Sequence, residues 1–112
     1  MRRTHPLAWP TGLPPGIDLH QIHHDVALGV RLVPTPGHTP GHQSVFVDHG
    51  RDRVTVICAQ ASWDTDTFAV GSIGDEHAWD VTVGDASVAA LRALRPARVL
   101  LSHDPRAWRP GA

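Results

Sequence analysis

Residues 34–44 read PTPGHTPGHQS, and they constrain the chain more than any other stretch. Proline removes a backbone donor and glycine favours turns, so Pro36-Gly37 and Pro40-Gly41 exclude a helix or a strand running through the segment. It is read as a rigid loop. The loop follows GVRLVP, an apolar run with strand character, and it carries two histidines, His38 and His42. Residues at a strand end on a stiff loop are placed where proteins do chemistry.

The elements around the loop follow from pattern. Residues 1–18 contain Pro6, Pro10, Pro14 and Pro15 and are expected to be irregular, with 19–112 forming the rest as one unit. IDLHQIHHDVALGVRLVP reads as two short strands turning at Gly29. QSVFVD and RVTVICAQ alternate at Val45, Val47, Val54, Val56 and Cys58, which predicts an antiparallel pair joined by HGRD. Residues 61–80 read as a long surface loop anchored by Trp63, Phe68 and Trp79, with Asp64 and Asp66 in turn or capping roles. A helix follows, capped by Asp80 or Asp85, with Val88, Leu91 and Leu94 on one face, and Arg95-Pro96 ends it. RVLL is a last strand running into SHDP. This order predicts an α/β chain with a small, mostly antiparallel sheet and one main helix.

Composition narrows the chemistry. All ten basic residues are arginine, which removes a lysine Schiff base and a phosphate-loop lysine. Tyrosine is absent and Glu76 is the only glutamate, so proton transfer falls to aspartate, histidine or metal-bound water. A formal net charge of -1 gives no electrostatic case for nucleic acid or an anionic membrane. No run approaches the length of a membrane span. The paired arginines near the start lack the apolar stretch of an export signal, and the single cysteine, Cys58, cannot form an internal disulfide. The expected location is cytoplasmic.

Nine histidines stand out, since neutral imidazole is the commonest metal ligand. His38 and His103 each sit just beyond an apolar strand. TPGHTPGHQS, a strand ending in CAQASW, a helix, then RVLLSHD together resemble the C-terminal half of the metallo-β-lactamase superfamily, nearest the N-acyl homoserine lactonase-like hydrolases. The resemblance covers roughly residues 25–104. It implies part of an αββα sandwich holding metal, usually zinc, at a loop edge, and metal-activated water attacking a lactone- or ester-type carbonyl. By motif it makes His38 and His103 metal ligands, with His42, Gln60 and Asp104 in supporting positions.

The chain departs from that pattern twice. It lacks the family's earlier HxHxDH string; the nearest run, HQIHHD at 20–25, has the wrong spacing and reads as a polar turn. Gln60 also stands where two-metal members have a bridging aspartate, and an amide offers neither the charge nor the second oxygen. A catalytic zinc normally takes three protein ligands and a water. The expectation is therefore a lactonase-like hydrolase segment with an incomplete zinc site, weak or inactive alone, acting on a small ester or lactone if completed by a homodimer mate or a complementing chain. The alternative is a truncated or degenerate relative, with a miscalled start, that serves as a binding module. Cys58 reads as a buried structural thiol. Ser102, His103 and Asp104 are adjacent and cannot take triad geometry, and GSIG at 71–74 lacks the strand–helix context of a nucleotide loop.

Overall fold

Alternating apolar residues in the central strands give each strand one face to bury, and the sheet is built on that alternation. The computed structural model describes residues 24–27, 29–51 and 53–111. The segment expected to be irregular over 1–18 lies outside them, as do residues 20–23 of HQIHHD. The remainder of that run opens a strand rather than a polar turn.

The elements are β1 (His24–Ala27), β2 (Val30–Pro34), β3 (Gln43–Asp48), β4 (Val54–Ala59), α1 (Thr65–Ala69), α2 (Val81–Ala93), β5 (Arg98–Leu101) and β6 (Asp104–Trp108). The strands form one six-stranded sheet in sequence order. Every neighbouring pair is antiparallel except β4 and β5, which run parallel. A parallel pair needs a crossover, and the chain from Gln60 to Ala97, with both helices, supplies it. The mixed α/β architecture with one main helix agrees with the sequence reading.

The two sheet faces differ. Phe46 pairs with Val56 and Val56 with Val99, and these side chains are buried together with Val88 and Leu91 of α2 and with Leu94 at its C-cap. Each fully buried aliphatic side chain contributes about 1.5–3 kcal/mol relative to exposure. On the other face Leu32, Val45, Ile57 and Leu100 pair in turn across four strands, yet Ile57 is 40% exposed. Among the described residues no helix covers that apolar row.

Asp80 caps α2, its Oδ1 accepting from the Val83 N–H at 3.0 Å. Pro96 follows the helix as expected. Two features depart from the sequence reading. Residues 61–80 are not all loop: Asp64 and Thr67 form a reciprocal capping box that starts α1. Phe68 is buried and packs on Trp108 at 5.0 Å, whereas Trp63 and Trp79 are exposed. SHDP is also not a terminal loop, because Asp104 begins β6.

Candidate functional site

The topology gathers several loops at one edge. The β2–β3 loop, the end of β4 and the end of β5 lie together because β2 meets β3 antiparallel, β3 meets β4 antiparallel, and β4 meets β5 parallel. His38 and His42 come from the first, Gln60 from the second and His103 from the third.

Backbone contacts hold the Pro-Gly loop rigid. The Thr35 N–H donates to the His42 carbonyl at 2.9 Å, and Ser87 Oγ of α2 donates to the Pro36 carbonyl at 2.7 Å. The Trp79 and Asp80 N–H groups donate to the His38 and Gly37 carbonyls, both at 3.1 Å. Gly37, at φ +153°, lies so close to α2 that a Cβ there would fall 2.3 Å from Gly84 Cα. Only glycine permits that approach.

His42 is bound at both ring nitrogens. The Gln60 backbone N–H donates to its Nε2 at 3.1 Å, so the ring proton sits on Nδ1. Nδ1 in turn faces Thr35 Oγ1 at 2.9 Å and the Thr35 carbonyl at 3.2 Å. Thr35 Oγ1 also bonds Ser44 Oγ at 2.8 Å. Burial chiefly lowers the His42 pKa below 6.5, the bond to the Thr35 carbonyl opposes this, and the nearby His38 adds to it. A neutral imidazole with both nitrogens engaged positions the loop and has no lone pair to offer.

His38 is different. Its Nδ1–H donates to Asp75 Oδ2 at 2.8 Å, which leaves Nε2 available. The same bond is the main reason the Asp75 carboxyl lies below its ordinary pKa. The His38 and His42 rings meet edge to face, 6.3 Å between centroids. His103 stacks on Trp63 at 4.0 Å with planes 13° apart, and its Nε2 accepts from Gln60 Nε2 at 3.4 Å. Gln60 therefore touches both His42 and His103. Beside this edge an open groove of about 640 Å³ is lined by Trp63, Ile73, Asp75 and Val81 among others.

Asp104 has other partners. Arg106 donates to it through Nε and Nη2, both at 3.0 Å, and Thr65 through its N–H and Oγ1 at 3.0 and 2.9 Å. The Arg106 fork, with Thr65, holds the carboxyl well below the usual carboxylate range. It clamps α1 to β6. Cys58 is a buried thiol pushed up to about 12 by burial.

The donor set does not by itself fit a catalytic metal. Among the described residues no three His, Cys, Asp or Glu side chains are grouped to hold an ion. His42 is fully engaged, and the uncharged Gln60 contacts His42 through its backbone N–H and His103 through its side-chain amide. Asp75 and Trp63 are the site residues that sequence reasoning missed. Asp75 is 37 residues from His38, and nothing local joins them.

No family profile matches the chain. Among curated proteins, the N-acyl homoserine lactonase AiiA of Bacillus thuringiensis subsp. kurstaki is 38% identical over 45 residues, which is 40% of this chain and 18% of that protein. The N-acyl homoserine lactonase of Bacillus cereus is 36% identical over the same length. In a solved N-acyl homoserine lactone hydrolase, with N-hexanoyl-L-homoserine bound at its catalytic metal centre, 74% of this chain superposes on 34% of that one, with TM-score 0.61 and 26% identity. AidC, a dizinc quorum-quenching lactonase, shares the fold at TM-score 0.60 and 19% identity, over 76% of this chain and 30% of that one. The chain thus spans about a third of these solved lactonases, and a smaller share of the curated relatives it matches. In sequence and in fold it is related to the metallo-β-lactamase-like lactonases.

Proposed function

We propose that the chain is the C-terminal portion, over residues 19–112, of a lactonase-type hydrolase whose site is incomplete here. The observation that carries this is the alignment of His38, His42, Gln60 and His103 along one sheet edge in a fold that superposes on a lactone hydrolase. His38 and His103 are the two metal ligands, most simply of zinc. The Asp75 carboxylate supports this role for His38, because metal-bound histidines commonly donate their other ring N–H to such a group. His42 and Gln60 position the loop and the His103 ring, and Asp104 supports the edge through α1.

Two imidazoles fall short of the three ligands a catalytic zinc normally takes, so no catalytic step is assigned to this chain alone. The half-exposed row Leu32, Val45, Ile57 and Leu100 supports completion by a further layer, from a complementing chain or a second copy. The substrate class is a small lactone or ester, with the groove beside Trp63 and Val81 as an apolar surface for its non-reacting part. No helix among the described residues is long and apolar enough to cross a membrane. A cytoplasmic setting agrees with one unpaired, buried cysteine.

A second reading has its own observation. Since no three ligands converge among the described residues, a degenerate relative that binds without turnover is the alternative. Zinc titration of the purified chain, with hydrolysis of N-hexanoyl homoserine lactone in parallel, separates the two. The hydrolase reading expects weak zinc binding that is lost in His38→Ala and in His103→Ala, with negligible turnover. Zinc binding indifferent to both substitutions would overturn it. Stoichiometric zinc with turnover would overturn the incompleteness.

A further inference from the structure

The opposite ends of β4 and β5 carry a different chemistry. Because these strands run parallel, their first residues lie together just as their last ones do. Thr55 pairs there with Arg98, and the Arg98 Nε–H donates to Thr55 Oγ1 at 3.0 Å. His49 reaches in after β3, its Nε2 2.9 Å from the same hydroxyl. With Arg53, Ala97 and Arg109 these residues line a cavity of about 280 Å³.

Three guanidinium groups and an imidazole surround this space, and among the described residues no carboxylate lines it. Among the described residues Arg53, Arg98 and Arg109 form no ion pair. Such a cluster is out of keeping with a formal net charge of -1. Six of the eleven acidic side chains, Asp64, Asp66, Asp75, Glu76, Asp80 and Asp85, fall within residues 64–85 of the β4–β5 crossover, a stretch without arginine. Like charges held around one cavity repel, and an anion between them turns that repulsion into attraction. The planar guanidinium fork matches phosphate oxygens two at a time. Arg98 spends its Nε on Thr55, which fixes the side chain and leaves its terminal nitrogens to face a ligand.

We propose that this cavity binds a phosphate group, as the free ion or as a small monoester, at the end of the sheet opposite His38, His42 and His103. The site is independent of the hydrolase reading and stands or falls alone.

Backbone-amide NMR titrations of the full chain, in a zwitterionic buffer at constant ionic strength, test it with inorganic phosphate and with phenyl phosphate. Saturable shifts confined to residues around His49, Thr55, Arg98 and Arg109 are expected. Arg98→Gln and Arg109→Gln should each weaken binding about tenfold or more, the usual loss for a hydrogen bond to a charged group. Arg109 is exposed, so its variant keeps the fold and the test survives a failure of Arg98→Gln to fold. Tighter binding of phenyl phosphate assigns a monoester, and equal binding assigns the ion. Shifts that do not saturate, that sodium chloride reproduces, or that persist unweakened in Arg109→Gln would overturn the proposal.

Discussion

The Nε2 of His42 accepts the backbone N–H of Gln60 at 3.1 Å and so ties the Pro-Gly loop to the end of β4. The bond fixes the tautomer of His42 and separates its role from that of His38, whose Nε2 is not engaged in this way.

That bond predicts unequal costs for the two histidines. His42→Ala leaves the Gln60 N–H and the buried Thr35 hydroxyl short of a partner, a loss of about 1–3 kcal/mol. His38→Ala should move the midpoint less, since its contact with Asp75 lies nearer solvent. Urea unfolding of both variants, with unchanged m-values, checks the order. Equal midpoints would count against the loop-tying role.

Stability should fall in two stages on acidification. The native pKa of His42 is lowered, so the unfolded chain takes up its proton first and stability declines as pH drops below the ordinary 6.5. The native pKa of Asp104 is depressed, so its contribution is complete above the ordinary 3.8 and disappears as pH falls toward the native value. Thermal midpoints across pH should show both declines, and Asp104→Asn should flatten the second. A first decline unchanged in His42→Ala would refute the assignment.

Cys58 sets the alkaline limit. Its thiol ionises at about 12 in the folded chain against an ordinary 9.0, so stability should fall as pH rises through that window. A thiol reagent at pH 8 should label the native chain far more slowly than the urea-unfolded chain, because the thiolate is suppressed and the side chain buried. Fast native labelling would show the side chain to be accessible.

Gly37 and Gly84 meet backbone to backbone, so Gly37→Ala should push the Pro-Gly loop off α2. Overpacking of this kind costs about 1–3 kcal/mol. The His38 ring resonances should shift with the loss of stability. Gly84→Ala presses mainly on the Ile73 side chain and should disturb His38 less.

What could be read from the residues, and what could not, has a physical basis. Alternation at Val54, Val56 and Cys58 announced β4, and the two Pro-Gly pairs announced the loop. Asp80 before an apolar face with Pro96 after it framed α2. The single turn of α1 is too short for periodicity, and its signal was the Asp64–Thr67 spacing. Strand β6 was obscured by Pro105, which argues against a central strand and is admissible in an outer one. The pairing of Asp75 with His38 and the stack of Trp63 on His103 are made by the crossover, which folds distant chain onto the loop.

Pro105 has one more effect. Among the described strands it lies in an edge strand, beside Arg106, at a rim of the sheet where a further strand would otherwise find a ladder of donors. A missing N–H and a nearby cation make that rim a poor template for fibril growth. Crowding of this chain should therefore yield stacked, face-to-face clusters in preference to ribbons extended through β6.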